Sequence, residues 1–519
     1  MTKERRELAQ QSVRERGGDR EFYFGCSRTL DGEGGAARAT LAAEHLVTHG
    51  VVVGMTGSGK TGLLTVICEE ALRARVPVLM IDVKGDLTNL LLTFPSFAPE
   101  HLVPWMGEDG AGGAERTERA AAIALARQTS LESWGIDEAA LADFDRSIDV
   151  RVITPGSAAG EALHVLSSLE RRSPRWDTDI DLARASLSAA ISLVLRLVGR
   201  DADPARSREH VLLSVLAERR LRAGATAELT ALLADLAEPP IERIGALELE
   251  EFFPATDRRA LAVALNNLVA APTFEAWREG ATLDIAGWLE PKGARTPAVI
   301  VSVAHLDDEE RTLVLGILLE EVLSWVRGLA GSERLRALVV FDEVYGFLPP
   351  HPSNPPTKRP LVALMKQARA FGVGVLVATQ NPMDLDYRAL SNAGLWCVGR
   401  LQTDADRERV VEGLGGEPRA SAHGRRRKAH GGEGEGGLGA TIRRLAPRWF
   451  VVRDAHARGG LVLLQPRYAM SYLRGPMTRS DLERALEARR ERMEGGEHER
   501  ESCEQDGGGG ERATPPVAA

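Results

Sequence analysis

The stretch HGVVVGMTGSGKTG, at positions 49–62, constrains the fold of this chain more than any other part of the sequence. A short apolar run ends at the first glycines, and the segment after them, TGLLTVICEEALRAR, carries apolar residues at helical spacing. This order predicts a buried strand, a tight turn and an amphipathic helix. The turn matches G-x-x-x-x-G-K-[ST], the pattern of a phosphate-binding loop. The fixed positions of that pattern are Gly54, Gly59, Lys60 and Thr61.

The residues of this loop have separate tasks in phosphate binding. Glycines let backbone N–H groups point inward around phosphate oxygens, and the N-terminus of the next helix adds its dipole. Lys60 is predicted to reach the β- and γ-phosphates, and the Thr61 hydroxyl is predicted to ligate Mg²⁺. The predicted nucleotide-binding residues are Gly54, Met55, Thr56, Gly57, Ser58, Gly59, Lys60, Thr61 and Gly62.

Strand-like and helix-like segments alternate along the rest of the chain. Apolar runs bounded by turn signals predict an α/β fold with a mostly parallel sheet covered by helices on both faces. These runs lie at 51–54, 76–83, 297–306, 335–343, 371–380 and 394–401. A mainly helical insertion interrupts the pattern, with one strand near 149–156 returning to the sheet. The segments PRWFVVRDA and GGLVLLQPR predict a hairpin near the end.

The predicted organisation follows from these segments. Residues 1–20 are expected to be disordered, 21–86 to form the first part of the core, and 87–291 to form the helical insertion. Residues 292–475 are expected to complete the core with the hairpin, and 476–519 to form a helix and then a disordered tail. From about Glu491 the chain is charged and rich in glycine, so we expect it to bury too little apolar surface to fold.

Composition places the chain among ordinary globular proteins. It is 44% hydrophobic and 27% charged, and its four scattered cysteines indicate free thiols in a reducing cytoplasm. The start, MTKERRELAQQSVRER, lacks the apolar core of a signal peptide, and no run approaches the ~20 apolar residues of a membrane span. The net charge of −9 argues against an overall basic nucleic-acid binder, but it leaves room for a basic channel.

Two acidic residues follow the apolar run LVVF. In parallel α/β proteins such a strand end lies beside the phosphate loop. Asp342 is predicted to hold the metal or its water, and Glu343 to take a proton from water that attacks the γ-phosphate. The alternative for Glu343 is a solvated charge at a strand end, and the sequence leaves it open.

Other polar residues end further predicted strands. Gln380 ends VLVATQ, where it is placed to hydrogen-bond the γ-phosphate and the attacking water, or simply to cap the strand. In MIDVKGDL, Asp82 should face the nucleotide, because the carboxyl ends of parallel strands share one end of the sheet. Asp82 and Lys84 either organise the site and a loop near it or form a turn with a local ion pair. The sequence does not decide between these roles.

Five segments follow one another in a specific order between Gly54 and about Leu414. They are VGMTGSGKTG, IDVKGDLTNLLLTFP, FDEVYGFLPP, KQARAFGVGVLVATQNPMDLDYRALSNAG and GRLQTDADRERVVEGL. Together they resemble the HerA–FtsK superfamily of ring-forming P-loop ATPases, and its HerA-like branch in particular. The resemblance implies a RecA-like core in which the strand ending at Gln380 lies between the phosphate-loop strand and the acidic strand. It also implies hydrolysis of ATP with Mg²⁺ in a homohexamer that moves double-stranded DNA, with a nuclease as partner in DNA processing or defence.

The resemblance further implies an arginine that reaches the γ-phosphate bound by a neighbouring subunit. Arg369, in QARAFGVGV, occupies the matching place just before the glutamine strand. Such a cation acting in trans would couple hydrolysis to ring assembly. A solvated arginine at a helix end is the alternative. Arg400, at the end of the next predicted strand, is the second candidate.

The sequence also departs from the family and leaves other functions open. HerA proteins commonly carry an N-terminal β-barrel, for which the segment before the phosphate loop is too short. A coupling ATPase for secretion or conjugation is one alternative function, and a nucleotide-gated regulatory subunit of a defence complex is another. The basic cluster at 425–428 is either a DNA contact or a charged loop. The proline-rich segment 347–360 predicts a stiff, partly extended loop.

Overall fold

The structure is a computed structural model that describes residues 20–30, 35–107, 112–170, 172, 175–178, 180–390, 392–414, 437–457 and 460–506. The predicted disorder at 1–19 and 507–519 lies outside the described residues, and so does the basic cluster at 425–428. In the described part of the chain, no helix is long and apolar enough to span a membrane.

The strands are β1 (Glu21–Thr29), β2 (Ala37–Ala42), β3 (Gly50–Val53), β4 (Val78–Asp82), β5 (Ile148–Ile153), β6 (Leu163–His164), β7 (Arg243–Ile244), β8 (Leu247–Glu248), β9 (Ala281–Thr282), β10 (Thr296–Ser302), β11 (Ser332–Asp342), β12 (Phe371–Thr379), β13 (Leu395–Val398), β14 (Phe450–Asp454) and β15 (Val462–Pro466). The first helices are α1 (Lys60–Arg73), α2 (Gly113–Glu132), α3 (Glu138–Ser147), α4 (Ser167–Glu170), α5 (Arg175–Thr178), α6 (Ile180–Leu197), α7 (Arg208–Arg222), α8 (Leu229–Ala237) and α9 (Leu249–Phe252). The later helices are α10 (Ala255–Ala270), α11 (Glu275–Arg278), α12 (Ile285–Leu289), α13 (Asp308–Arg327), α14 (Lys358–Gln367), α15 (Tyr387–Leu390), α16 (Asp404–Gly413), α17 (Leu438–Arg444) and α18 (Arg479–Asp506).

One large sheet organises the chain, with the strand order β2–β1–β15–β14–β13–β3–β12–β11–β4–β10–β5. Neighbours from β13 through β5 are parallel, and β14, β15, β1 and β2 extend the sheet in antiparallel pairs. The predicted α/β fold with a mostly parallel sheet is therefore confirmed. Strand β12 lies between β3 and β11, which is the order that the family resemblance implied.

The antiparallel part of the sheet was only partly predicted. The hairpin of β14 and β15 is present, but it is part of the main sheet, because β14 pairs with β13 and β15 pairs with β1. Strands β1 and β2 were not predicted. The alternate burial of Phe22, Phe24 and Cys26 has the period of two that marks a strand, so a signal for β1 was present.

Helices cover both faces of the sheet, and the strand residues alternate between two apolar cores. In β3, Val52 packs into the core that contains α1, whereas Val51 and Val53 pack into the core on the other face. The segment between β4 and β5 belongs to the α1 core, and the helices between β5 and β10 belong to the opposite core. Strand β5 thus divides the insertion into two parts that cover different faces.

The C-terminal helix α18 corrects one prediction. We expected disorder from about Glu491, but the backbone stays helical to Asp506. Six of the 16 residues at 491–506 are glutamate, which is a good helix former. The helix is anchored earlier by Arg489, whose buried guanidinium donates to Asp145 (3.1 Å) and to Thr93 Oγ1 (2.7 Å).

Candidate active site

The phosphate-binding loop joins the end of β3 to the start of α1. Gly57 (φ 76°) and Gly59 (φ 95°) have left-handed backbones that strongly favour glycine. Gly54 is required by space, because a Cβ there would lie 2.6 Å from Ser58 Oγ. The loop is therefore held closed by local packing as well as by its backbone conformation.

The interior of the loop fits a phosphate group. The Lys60 ammonium lies inside it and donates to the carbonyl oxygens of Gly54 (2.5 Å) and Met55 (3.2 Å). Burial lowers the pKa of Lys60 to about 8, so an anion beside it would be stabilised. Ser58 Oγ is buried and has no hydrogen-bond partner among the described residues. The first turn of α1 carries Thr61 and contains no acidic side chain that would repel a phosphate.

Two carboxylates lie side by side at the carboxyl ends of β4 and β11. Asp82 and Asp342 are register partners, and both are buried. Burial and the charge of Asp82 raise the pKa of Asp342 to about 7. A divalent cation would relieve this repulsion, and carboxylate oxygen is the ligand that Mg²⁺ prefers. The residues at this end of the sheet therefore fit a magnesium ion.

The buried carboxylate of Asp82 also binds the backbone that follows β4. Its carboxylate accepts backbone N–H bonds at 2.7–3.2 Å from five successive residues, 84–88. These bonds fix the turn after β4 and place Lys84 beside the site. Of the two roles left open by the sequence, the structure therefore places Asp82 as the residue that organises this turn.

Glu343 follows β11 and has an unusual backbone, with φ at 59°. Its Oε2 accepts from Lys84 Nζ (2.6 Å) and from Gln380 Nε2 (2.8 Å). Its Oε1 accepts from the Gln380 backbone N–H (3.2 Å) and from Thr379 Oγ1 (3.3 Å). Burial raises the pKa of Glu343, but these bonds and the charge of Lys84 outweigh burial and hold it below its usual value. Glu343 is therefore not a freely solvated charge.

Gln380 connects Glu343 to the phosphate loop. Its amide nitrogen donates to Glu343, and its amide oxygen accepts from Thr56 Oγ1 at 2.6 Å. Thr56 is exposed at the tip of the loop. The structure thus brings together Lys60, Asp342, Glu343 and Gln380 at the carboxyl end of the sheet, which is the end predicted to bind nucleotide.

The two candidate arginines lie at opposite ends of the sheet. Arg369 belongs to the 3-10 turn Ala368–Ala370, at the amino end of β12. That strand is parallel to β3 and spans roughly 25–30 Å, so Arg369 lies far from the phosphate loop of its own chain. Arg400 lies beside that loop, since its carbonyl accepts the Met55 N–H at 2.9 Å. Arg369 lines a cavity of about 730 Å³ whose other residues include His45, Glu333 and Lys366.

Some residues that support the site were not singled out from the sequence. The Arg448 backbone N–H donates to Ser58 O (2.9 Å), which fixes the phosphate loop from the side of β14. Within the core, Arg467 bonds Glu69 (2.7 Å) and Glu70 (2.9 Å) of α1, and all three side chains are buried. Strong helix formers such as Glu69 give no local sign of burial, so nothing in the sequence near α1 indicates this ion cluster.

Comparison with known proteins agrees with this geometry. Residues 29–148 match the family described as "Helicase HerA, central domain". This segment is therefore similar to the central domain of HerA. It contains the phosphate loop, β4 and the turn that carries Lys84. Asp342, Glu343, Gln380 and Arg369 lie beyond the matched residues.

The chain is also similar to solved structures. The bacterial conjugative coupling protein TrwB, in an unbound form, is 16% identical, with 91% of this chain and 93% of TrwB covered and a TM-score of 0.48. VirB4 of Thermoanaerobacter pseudethanolicus is 13% identical, with 85% and 95% covered and a TM-score of 0.47. The genome packaging NTPase B204 of Sulfolobus turreted icosahedral virus 2 is 9% identical, with 80% and 97% covered and a TM-score of 0.29. No curated protein matches the chain.

Proposed function

We propose that this chain is a cytoplasmic, Mg²⁺-dependent ATPase that assembles as a homohexameric ring and moves double-stranded DNA. The observation that carries the proposal is the convergence of Lys60, Asp342 and Glu343 around one glycine cradle. A buried ammonium, a pair of crowded carboxylates and a strand-end glutamate are the groups that phosphoryl transfer to water requires.

Each side chain has a defined task in this proposal. The loop N–H groups and Lys60 hold the triphosphate, and Thr61 and Asp342 hold Mg²⁺, which neutralises charge on the phosphate oxygens when it is bound. Glu343 orients water and accepts its proton. Gln380 links Glu343 to Thr56, so the position of the base depends on the state of the phosphate loop.

Arg369 acts between subunits in this proposal. Its place at the amino end of the sheet keeps it away from the phosphate loop of its own chain. A second copy whose phosphate loop faces this end would receive the guanidinium at its γ-phosphate. Arg400 lies beside its own loop, so we assign the action in trans to Arg369 and a contact within the same chain to Arg400.

The choice of DNA rests on the family match. The matching family is named for a helicase. The residues at the carboxyl end of the sheet support ATP hydrolysis, but they do not specify which polymer is moved. A nuclease partner, in DNA processing or defence, is part of the same proposal. The alternatives are a secretion or conjugation coupling ATPase that moves protein or protein–DNA complexes, and a nucleotide-gated regulatory subunit of a defence complex.

The test is the ATPase rate with and without duplex DNA at low salt, together with a mass measurement of the assembly. We expect stimulation by DNA and a hexameric mass. Lys60→Ala and Glu343→Gln should each lower the rate by ~100-fold or more. Lys292→Ala, at an exposed lysine between α12 and β10, is the matched control and should leave the rate unchanged.

Two results would contradict different parts of the proposal. Absence of ATP turnover by the unmodified protein would remove the assignment as an ATPase. ATP turnover that duplex DNA leaves unchanged, combined with no DNA binding at low salt, would remove DNA as the cargo and favour the alternatives.

A further inference from the structure

The carboxylate of Glu343 is fully engaged in this structure. An ionised carboxylate offers about four lone-pair positions. Here each oxygen accepts two hydrogen bonds, from Lys84 and the Gln380 amide on one side and from Thr379 and the Gln380 backbone on the other. A base in this arrangement has no position left for the proton of an attacking water. The observed geometry is therefore that of a restrained base.

Lys84 is the donor best suited to release this restraint. Its ion pair with Glu343 is the shortest of the four contacts, at 2.6 Å. The Lys84 side chain is 36% exposed, whereas that of Glu343 is only 11% exposed. Its backbone is fixed by Asp82, so only the flexible side chain has to move. The ammonium is therefore the end of this ion pair that can turn toward another anion within its reach.

A second link ties the same carboxylate to the phosphate loop. Gln380 donates to Glu343 and accepts from Thr56 in the loop. A phosphate in the loop would compete for Thr56 and for the ammonium of Lys84. Occupation of the loop would thus compete directly for Lys84 and would free the Gln380 amide from its bond to Thr56.

We propose that Lys84 is a positioning residue that holds Glu343 in a resting state, and that a triphosphate in the loop releases Glu343 by drawing Lys84 away. The proposal rests on the function proposed above, in which Glu343 is the base. It adds that the nucleotide-free enzyme is restrained by an ion pair between the turn after β4 and the end of β11.

The first test measures the resting ion pair without any activity. Thermal unfolding is compared for Lys84→Met, Glu343→Gln and the double variant, all in the absence of nucleotide. If the ion pair holds the resting state, the two single shifts in Tm will not add in the double variant. A non-hydrolysable triphosphate analogue should make them additive. Additive shifts without nucleotide would overturn the proposal, whatever the ATPase rate.

The second test is steady-state kinetics without DNA. We expect Lys84→Met to raise kcat by roughly 3–10-fold while KM for ATP changes less, because a restraint on the base is lost rather than a contact to substrate. Lys84→Arg keeps the ion pair and should stay near the unmodified kcat. A fall in kcat for Lys84→Met, or a rise in KM alone, would overturn the proposal. Neither outcome would affect the assignment as an ATPase, which fails only if the unmodified protein does not hydrolyse ATP.

Discussion

The two ends of the central sheet differ in how their charged groups are used. At the carboxyl end, Lys84, Glu343 and Gln380 contact one another within the chain, and Lys60 is enclosed by the phosphate loop. At the amino end, Arg369 is exposed on a cavity wall. The carboxyl end thus has the groups proposed to bind and activate the nucleotide, and the amino end has an exposed guanidinium in a cavity that also contains Glu333. In the function proposed above, each end is half of a site that a second copy completes.

Replacing Arg369 should have the largest effect and tests the role of the amino end most strongly. Arg369→Ala should lower kcat for ATP by about 10³-fold, the scale seen for arginines that act on a transferring phosphate, and should leave ATP binding in place. Turnover and equilibrium binding of a labelled ATP analogue would be measured together. Arg334→Ala, an exposed arginine near the same end of the sheet, is the control and should retain full turnover. Normal hydrolysis by Arg369→Ala would contradict the assignment.

The buried ion cluster of Arg467 with Glu69 and Glu70 should give the next largest effect, a loss of stability. Arg467→Met leaves Glu69 and Glu70 of α1 without their buried partner. Breaking a buried pair on one side costs about 3–5 kcal/mol, because the remaining charge stays buried. Denaturant unfolding should show this loss. Arg479→Met, in the exposed i,i+4 pair with Glu483, should change stability by less than about 0.5 kcal/mol. Equal losses would show that the cluster around Arg467 is not what fixes α1.

The buried histidine at the amino end of the sheet should make the free energy of unfolding depend on pH. His49 precedes β3, its Nδ1 accepts the Val375 N–H (3.1 Å), and burial together with Arg369 lowers its pKa to about 4. Above pH 6.5, His49 is neutral in both the folded and the unfolded chain. Between pH 6.5 and 4 only the unfolded chain takes up the proton, so stability falls with falling pH, by about 2 kcal/mol at pH 5.

His49→Asn should remove this pH dependence. Asparagine keeps an acceptor for Val375 and replaces one non-glycine side chain with another at this position of positive φ. Unfolding free energies at pH 7.5 and pH 5 should therefore differ less in the variant than in the unmodified protein. If the two proteins lose the same stability on acidification, His49 is not the titrating group.

The sequence predicted the carboxyl end of the site better than the interactions around it. Lys60 and Asp342 lie in local patterns, a glycine-rich turn and an apolar run that ends in acids, and parallel strands bring such ends together. The pair of Lys84 and Glu343 joins residues 259 positions apart, and the pair of Arg467 and Glu69 joins residues 398 positions apart. Local periodicity carries no information on such pairs.

The antiparallel strands show the same limit for the fold. The apolar alternation of β1 was available in the sequence, but its partner β15 is formed by the far end of the chain. A helix was predicted at α18, but its extent beyond Glu491 was missed for a different reason. The prediction weighed apolar content alone, whereas glutamate has a high helix propensity and Arg489 anchors the helix by donating to Asp145.

The central claim, that the two ends of the sheet form one site across two copies, is tested most directly by mixing inactive variants. Lys60→Ala subunits retain an intact amino end, and Arg369→Ala subunits retain an intact carboxyl end. The measurement is the ATPase rate of the co-assembled mixture against each variant alone. Our account predicts that the mixture regains turnover. A mixture as inactive as its components, in assemblies of unchanged mass, would contradict it.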